Sequence, residues 1–245
     1  MLSIVAKYLL NRYNLSMEFV SINKLSLLDY PEKVSCILYT PTCNFMCPYC
    51  HNWQTLIEEK LPPLNFEDIL DFLKKRVGVL DGVVISGGEP TLMDDLPEKI
   101  KKIKELGYFV KLDTNGSSPD MLRNLIDSKL IDYCAMDIKH SFDKYYDVIV
   151  NRHINLDDIK ESIEILSMGK IDYEFRITLV KEYHDEESIY KIGKLLEGSP
   201  KLYLQKYVLS DGVREKNLHA VDEGLANKFV EILSQYIDDV ELRGY

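Results

Sequence analysis

Residues 43–50 of this 245-residue chain have the sequence CNFMCPYC, which spaces Cys43, Cys47 and Cys50 as C-x3-C-x2-C. They follow a short apolar segment at residues 34–39, which predicts a β-strand. Three thiolates on one tight loop can bind three irons of a [4Fe–4S] cube, because soft sulfur ligands suit iron–sulfur clusters. The fourth iron would lack a protein ligand, so a substrate or cofactor could coordinate it.

A zinc site is the main alternative for this loop, because His51 directly follows Cys50 and could be a fourth ligand. Structural zinc usually takes its ligands as two separated pairs, and the sequence offers no second pair. A disulfide framework is not expected, because the chain has five cysteines and shows no secretory signal. The spacing favours the iron–sulfur site over zinc. Cys36 and Cys134 lie in apolar runs and are predicted to be core residues.

The composition is that of an ordinary soluble globular protein, with 46% apolar and 29% charged residues. The 30 Lys and Arg are outnumbered by 40 Asp and Glu, for a net charge of −10. This balance argues against a general nucleic-acid or membrane-surface binder. No apolar run has the length needed to span a bilayer. Reduced cysteines and an iron–sulfur loop predict a cytoplasmic protein.

The sequence predicts one main domain. Residues 1–17 are treated as an N-terminal extension of undefined role, with Met17 as an alternative start. This segment is apolar but interrupted by Lys7, and it lacks the basic leader and cleavage site of a signal peptide. Residues 18–245 are predicted to form a single domain, because no linker or low-complexity stretch divides them.

Strand-like and helix-like patterns alternate along this domain. Asn65 and Asn155 each precede an apolar helical pattern and are predicted N-caps. The alternation predicts an α/β fold with parallel strands and right-handed crossovers, a partial (β/α)6 TIM-like barrel short of the closed eight. The predicted strands are residues 34–39, 82–85, 108–112, 133–138, 173–180 and 202–208, with a short final strand at 240–243.

Polar residues recur where each predicted strand ends. The carboxyl ends of parallel strands share one face of a β/α barrel, and active sites lie on that face. Such a series is not expected of a purely structural protein. In strand order, the residues are Cys43 to Cys50, then Gly87, Gly88 and Glu89, then Asp113 and Asn115, then Asp137 and Lys139, then Arg176, and finally Gln205.

These motifs resemble those of the radical S-adenosylmethionine (SAM) enzymes, through C-x3-C-x2-C with Tyr49 before the last cysteine and SGGEPTL at residues 86–92. Within that superfamily the chain looks most like the glycyl-radical-enzyme activases, and in particular those of anaerobic ribonucleoside-triphosphate reductase. The resemblance runs from about residue 21 to the end of the chain. It rests further on SLLDYP at 26–31, CPYCHN at 47–52, LDTNG at 112–116, AMDIK at 135–139 and EFR at 174–176.

The resemblance implies a mechanism. The three cysteines would hold the [4Fe–4S] cluster, and SAM would chelate the open iron through its amino and carboxylate groups. One electron would then cleave SAM to methionine and a 5′-deoxyadenosyl radical, which abstracts hydrogen from a glycine of the partner. The implied partners are a glycyl radical enzyme, in particular anaerobic ribonucleotide reductase, and a flavodoxin- or ferredoxin-type electron donor. Nucleic acid and membrane are not expected partners.

The same resemblance implies roles for individual residues. Gly87 and Gly88 would let the backbone approach the methionyl ammonium, with Glu89 or neighbouring carbonyls accepting its protons. Tyr49 would meet the adenine, and Gln205 the ribose hydroxyls. The alternatives are a plain glycine turn for the Gly-Gly pair and simple barrel filling for Gln205.

Charged residues would complete the SAM pocket. Asp113, Asn115 and Asp137 would line it, with a monovalent cation bridging the two carboxylates and the SAM carboxylate. Lys139 and Arg176 would supply cations for that carboxylate. The alternative for these charged groups is a surface ion pair.

One position departs from the activase pattern. These proteins usually have glycine before the first cluster cysteine, whereas this chain has Thr42. Threonine has less freedom in φ than glycine, so the backbone at the start of the loop is expected to differ. His140 is expected to be a solvated loop residue and His184 a surface residue, while the role of His51 is left open between a cluster contact and a structural contact.

Two other functions remain open from the sequence. One is a radical SAM enzyme acting on a small molecule, such as a deazapurine synthase, which would need a closed base-recognising pocket. The other is a non-catalytic metal-binding module, which would leave the glycine-rich and DTNG motifs without a purpose.

Overall fold

An eight-stranded sheet forms the centre of the structure, a computed structural model that describes residues 17–53 and 61–245. The order of strands across the sheet follows the sequence. β1 is antiparallel to β2, and each later pair is parallel. The strands are β1 Ser21–Ser26, β2 Ser35–Thr40, β3 Gly82–Gly87, β4 Phe109–Thr114, β5 Tyr133–Asp137, β6 Asp172–Leu179, β7 Lys201–Lys206 and β8 Asp239–Arg243.

Helices connect the parallel strands. The predicted caps are confirmed, since the Asn65 side chain accepts from the Glu67 amide and the Asn155 side chain accepts from the Asp157 amide. The helices are α1 Phe66–Lys74, α2 Leu96–Glu105, α3 Pro119–Asp127, α4 Tyr145–Ile149, α5 Leu156–Ser167, α6 Glu186–Leu195 and α7 Glu223–Leu233. Single 3-10 turns occur at Pro90–Leu92 and Phe142–Lys144. No helix in the described parts of the chain is long and apolar enough to cross a membrane.

The predicted open α/β barrel is confirmed. β2 to β7 are the six predicted strands, and β8 is the short final one. Within the described residues, β1 and β8 form the two edges of the sheet and do not pair with each other. β1 was not predicted. The N-terminal extension lies outside the described residues except for Met17, so the domain boundary stays a prediction.

The two faces of the sheet differ in chemistry because strand side chains alternate. One face is apolar and packs under the helices in a large buried cluster that includes Cys36 and Cys134, both 0% exposed as predicted for core residues. The other face carries a small apolar group at its amino end, around Ile37 and Val84. Farther along the strands this inner face becomes polar and charged, and the candidate site lies there.

The SLLDYP segment closes the amino end of the barrel. The Ser26 hydroxyl donates to Asp29 and accepts from the Asp29 amide at 3.2 Å, which forms a tight turn. The turn places the 3%-exposed Tyr30 ring beside Tyr133, with centroids 5.9 Å apart. A β-carbon at Gly82 would lie 2.9 Å from the Tyr30 ring, so this packing requires glycine. The segment therefore closes the end opposite the polar loops.

Candidate active site

The three loop cysteines lie in a largely water-excluded pocket at the carboxyl end of β2. Cys47 is 6% exposed, and Cys43 and Cys50 are partly buried. Burial raises the pKa of the Cys47 thiol to about 12, and it also raises the pKa values of Cys43 and Cys50. Thiolates in such a pocket need a cationic partner, and metal binding would supply it as the thiol protons leave. The donor set and its burial fit an iron–sulfur cluster.

Side chains from two neighbouring loops hold the cysteine loop on one side. In the Asn44 side chain, Oδ1 accepts from Asn115 Nδ2 at 2.9 Å and Nδ2 donates to Ser117 Oγ at 2.7 Å. Asn151 Nδ2 donates to the Asn44 carbonyl at 2.8 Å. Asn115 Nδ2 also lies 3.8 Å from Cys43 Sγ. Asn115, predicted to line a SAM pocket, thus contacts the cysteine loop itself.

The loop after β7 holds the other side of the cysteine loop. The Glu215 amide donates to the Pro48 carbonyl at 3.0 Å, and His51 Nε2 donates to the Val208 carbonyl at 2.6 Å. The His51 ring stacks on Tyr207 with centroids 5.9 Å apart. His51 therefore makes structural contacts.

The zinc alternative lacks the geometry it needs. Among residues 17–53 and 61–245, no three Cys, His, Asp or Glu side chains are placed to hold one metal ion. A mononuclear zinc site requires that convergence. A cube needs its three thiolates more widely spaced, because each cysteine binds a different iron.

Thr42 contradicts the expectation of an altered backbone before the first cysteine. Its φ is +54°, in the left-handed region that glycine favours. The backbone thus keeps a glycine-like conformation with a β-branched residue in it, which is a strained arrangement. The prediction was wrong because the hydrogen bond from the Glu89 amide to the Thr42 carbonyl, 2.9 Å long, holds this peptide in place.

We expect Thr42→Gly to stabilise the protein by about 1 kcal/mol, because relief of left-handed strain exceeds the entropy cost of glycine in the unfolded chain. Urea unfolding of the apo-protein measures the change. Thr42→Ala is the matched control, since it keeps a β-carbon at the same φ and should not stabilise. An equal gain in both variants would show that the side chain, and not the backbone, is responsible.

The Gly87–Gly88 pair packs against the start of the cysteine loop. A β-carbon at Gly87 would overlap the backbone of Thr40, and one at Gly88 would overlap the carbonyl of Thr42. The Gly88 amide donates to the Thr40 carbonyl at 3.0 Å. These contacts within the protein already require both glycines. Their role toward a methionyl ammonium stays a prediction.

Glu89 links β3 to β4 and is 1% exposed. Its Oε1 accepts from the Thr91 amide at 3.1 Å, from Thr91 Oγ1 at 2.6 Å and from Thr114 Oγ1 at 2.8 Å. Its Oε2 accepts from the Asn115 amide at 2.7 Å. Burial raises the pKa of this carboxyl, although these donors act against the shift. The chain's own donors therefore occupy the oxygens predicted to accept from SAM, which leaves neighbouring backbone carbonyls for that role.

Glu89→Gln is expected to destabilise the protein by about 2 kcal/mol, because an amide NH2 would face at least one of the donors that the buried carboxylate now accepts. Chemical denaturation measures this loss. Glu105→Gln, at an exposed position at the end of α2, is the control and should leave stability unchanged. A stable Glu89→Gln variant that binds SAM poorly would instead favour direct SAM contact.

Five alternating charges cross the ends of β4, β5 and β6. Asp113 Oδ1 lies 2.7 Å from Lys111 Nζ and 3.4 Å from Arg176 Nη1. Asp137 Oδ1 accepts from Arg176 Nε at 2.8 Å, and Asp137 Oδ2 lies 3.1 Å from Lys139 Nζ. The predicted site residues Asp113, Asp137, Lys139 and Arg176 thus come together, joined by Lys111, which was not predicted.

The network keeps its members charged. Burial acts to raise the pKa values of both carboxyls, but Arg176 and Lys111 together lower the pKa of Asp113, and Arg176 and Lys139 together lower that of Asp137 to about 2. Burial acts to lower the pKa values of Lys139 and Arg176. Asp137, followed by Tyr49 and Cys47, reverses this shift for Lys139, and the two aspartates reverse it for Arg176. Side-chain exposure is 13% for Asp113 and Arg176, so solvent screens these pairs weakly.

Tyr49 lies beside the Lys139 end of this network, and Gln205 is not one of its ion-pair partners. The Tyr49 side chain is 4% exposed and its ring centroid is 6.2 Å from that of Tyr183. Its hydroxyl has no hydrogen-bond partner among the described residues, which is unusual for a buried polar group. Gln205 is half-buried on β7, in register with Thr178 of β6 and Arg243 of β8. Their SAM contacts stay predictions.

His140 and His184 were expected at the surface, and both are 2% exposed. Their rings stack with centroids 5.4 Å apart. His140 Nε2 donates to the Tyr183 carbonyl at 2.7 Å, and His184 Nε2 donates to the Lys139 carbonyl at 3.3 Å. Burial lowers the pKa of His140, and it lowers that of His184 to about 4. The expectation failed because the loops after β5 and β6 pack on each other through these rings.

Sequence reasoning missed Lys111, Asn44 and Thr114. Lys111 had a usable signal, since it interrupts an apolar strand two residues before Asp113 and therefore shares its face. Asn44 and Thr114 had none, because their role depends on hydrogen bonds between loops.

Known proteins share extensive sequence similarity with this chain. The family model described as the Radical SAM superfamily matches residues 37–191. A Methanocaldococcus jannaschii protein named "Putative glycyl-radical enzyme activating enzyme MJ1227" is 37% identical over 89% of this chain and 92% of its own length. A second protein of that organism, named "Putative glycyl-radical enzyme activating enzyme MJ1632", is 27% identical over 92% of this chain and 86% of its own length.

Solved structures share the fold. A domain of pyruvate-formate lyase-activating enzyme from Bacteroides vulgatus matches with a TM-score of 0.55 at 19% identity, over 66% of this chain and 99% of that one. SuiB of Streptococcus suis bound to S-adenosylmethionine matches with a TM-score of 0.66 at 16% identity, over 85% of this chain and 52% of that one. At these identities the likeness concerns the fold alone.

Proposed function

Because the chain belongs to the radical SAM superfamily, we propose that it is an activase that installs a glycyl radical on a partner enzyme, anaerobic ribonucleoside-triphosphate reductase. The observation that carries the proposal is the set of three cysteines on one loop, one buried and two partly buried, beside a charge network with more positive than negative groups. The 37% identity to a protein named as a glycyl-radical enzyme activating enzyme supports the same reaction class.

Cys43, Cys47 and Cys50 would hold the [4Fe–4S] cluster. When bound, the cluster and SAM supply a 5′-deoxyadenosyl radical, through one-electron cleavage of the sulfonium carbon–sulfur bond with release of methionine, and this radical takes a hydrogen atom from the glycine Cα. The protein's part is to bind, orient and exclude water. The loops that hold Asn44 and His51 keep the cysteine loop in place for this purpose.

Lys139 and Arg176 would receive the carboxylate of SAM, since both lie at the strand ends and carry stabilised positive charges. The backbone carbonyl of Gly88 would accept from its ammonium, because the Glu89 oxygens and the Gly87 carbonyl already accept from the chain's own donors. The Tyr49 hydroxyl, which has no hydrogen-bond partner within residues 17–53 and 61–245, is a candidate for an added hydrogen bond once SAM is bound.

A peptide substrate requires access to this pocket. β1 and β8 are edges of the described sheet and are not paired with each other. The sheet therefore has a side that strand pairing does not close, and a glycine-bearing segment of a protein could enter there. A small-molecule enzyme would need a closed pocket instead.

The test uses anaerobically reconstituted protein reduced with dithionite. Low-temperature EPR is recorded with and without SAM, and 5′-deoxyadenosine is assayed. We expect a reduced [4Fe–4S] signal that changes when SAM binds. With the anaerobic reductase present, we expect deoxyadenosine and a glycyl radical signal on the reductase. Stimulation by a small metabolite, with no radical on any glycyl radical enzyme, would contradict the activase.

A further inference from the structure

The pocket between Asp113 and Asp137 does not fit the monovalent cation that the activase resemblance implies. A bridging metal ion needs carboxylate oxygens that are free to coordinate it. Asp113 Oδ1 and Asp137 Oδ1 both contact the Arg176 guanidinium, at 3.4 Å and 2.8 Å, and Asp137 Oδ2 lies 3.1 Å from Lys139 Nζ. The guanidinium thus lies between the two carboxylates.

Charge balance gives the same result. Among the described residues, Lys111, Lys139 and Arg176 contact the two aspartates, so positive charges exceed negative ones by one. Glu174 and Arg243, whose charged atoms are 3.5 Å apart, add one charge of each sign. A metal cation would enlarge the surplus, whereas an anionic carboxylate would neutralise it.

Lys111 is the member that nothing else explains. Its side chain is 2% exposed, and its ammonium lies 2.7 Å from Asp113 Oδ1. Lys111 and Asp113 share the inner face of β4, so Lys111 approaches the carboxylate from inside the barrel, below the strand ends. The aliphatic stem crosses the barrel interior near the Tyr133 ring, with Nζ 6.0 Å from its centroid. A buried lysine in this place requires a strong charge partner.

We propose that Lys111 and Arg176 are a built-in replacement for the monovalent metal ion, so that this chain binds SAM without sodium or potassium. Lys111 is then a positioning residue, because it helps to balance Asp113, so that the network keeps one surplus positive charge to attract the SAM carboxylate. The inference rests on the proposed use of SAM but is independent of the partner protein.

The proposal predicts a cation dependence that can be created by one substitution. Lys111→Met keeps most of the aliphatic stem but removes the ammonium, which leaves Asp113 Oδ1 with only its 3.4 Å contact to Arg176 and a small space beside it. Sodium or potassium could fill that space. SAM binding by the variant should therefore require one of these ions, whereas wild-type protein should be indifferent.

The experiment measures SAM affinity of cluster-loaded protein by equilibrium dialysis, in tetramethylammonium chloride and in potassium chloride, each at about 0.1 M so that screening is equal. We expect wild-type affinities to agree within about twofold, and Lys111→Met to bind about tenfold more weakly in tetramethylammonium than in potassium. Lys104→Met is the matched control, because Lys104 pairs with Asp132 outside the site, at 2.6 Å. The unfolding midpoint of the apo-proteins in both salts is a second readout, and only Lys111→Met should gain stability from potassium.

A requirement of the wild-type protein for potassium or sodium in SAM binding would overturn the proposal. This outcome can be tested with the wild-type protein alone. An equal loss in both salts for folded Lys111→Met would also overturn it. Absence of SAM binding in every buffer would refute the proposed function itself. Cation-independent binding by wild type with no glycyl radical on a partner would leave this proposal standing while the activase role fails.

Discussion

Replacing Cys47 with alanine is expected to abolish SAM cleavage. Two thiolates hold a cube poorly, so iron content should fall and 5′-deoxyadenosine formation should drop by more than about 100-fold, since even outer partners of metal ligands are worth about 10–100-fold. Cys47 is 6% exposed and packs in the core, so the variant also loses about 1 kcal/mol of stability from packing. Iron analysis, EPR and the deoxyadenosine assay on reconstituted protein measure the effect.

Cys134→Ala is the matched control for that experiment. Cys134 is also a buried free cysteine, but it lies on the helix-covered face of β5. Its removal should cost a similar packing energy and leave iron content and SAM cleavage intact. A full iron load with retained activity in Cys47→Ala, or loss of iron in Cys134→Ala, would contradict the assignment of cluster ligands.

The fold could be predicted where local patterns agreed with tertiary packing. The strands β2 to β7 are bounded apolar runs, and Asn65 and Asn155 mark helix starts with their own side-chain chemistry. β1 escaped prediction because its sequence, SINKLS, is mostly polar and its register slips between Asn23 and Ser26. An edge strand that pairs on one side needs little apolar character, so composition does not reveal it.

The site was predictable as a set of residues but less so as a set of roles. Strand ends brought Asp113, Asp137 and Arg176 together as expected. The sequence does not reveal that the Glu89 carboxylate accepts hydrogen bonds from Thr91, Thr114 and Asn115. Hydrogen bonds between loops depend on distances in space that the spacing of residues along the chain does not encode. The stacking of His140 on His184 could not be predicted for the same reason, since the two rings come from different loops. The restricted φ of threonine also predicted an altered backbone at Thr42, whereas a hydrogen bond from the Glu89 amide holds this residue in the left-handed region.

Arg176→Met is expected to lower the free energy of unfolding by about 3 kcal/mol at neutral pH, because it removes the cation shared by two largely buried carboxylates. Lys111 and Lys139 remain beside Asp113 and Asp137, so the protein should still fold. SAM affinity should fall as well, since the surplus positive charge disappears. Urea unfolding of the apo-protein separates the stability effect from the binding effect.

The pH dependence of that loss identifies its origin. The pKa of Asp137 is about 2 in the folded protein, held below its usual value by Arg176 against the effect of burial, and the pKa of Asp113 is lowered in the same way. A carboxyl whose pKa is lower in the folded protein contributes stability at pH values above its unfolded-state pKa. This contribution is lost as the pH falls through the folded-state pKa. The gap between wild type and Arg176→Met should therefore be full above about pH 5 and narrow toward about pH 2.

Arg123→Met provides the comparison, because Arg123 pairs with Asp120 and Glu161 on the surface with 43% of its side chain exposed. Its unfolding midpoint should match that of wild type at every pH, since solvent screens such pairs. If the gap for Arg176→Met stayed constant from pH 7 to pH 2, the loss would come from packing of the arginine stem. A gap that closes on acidification would instead assign it to the two carboxylates, which are the groups that the proposed SAM site depends on.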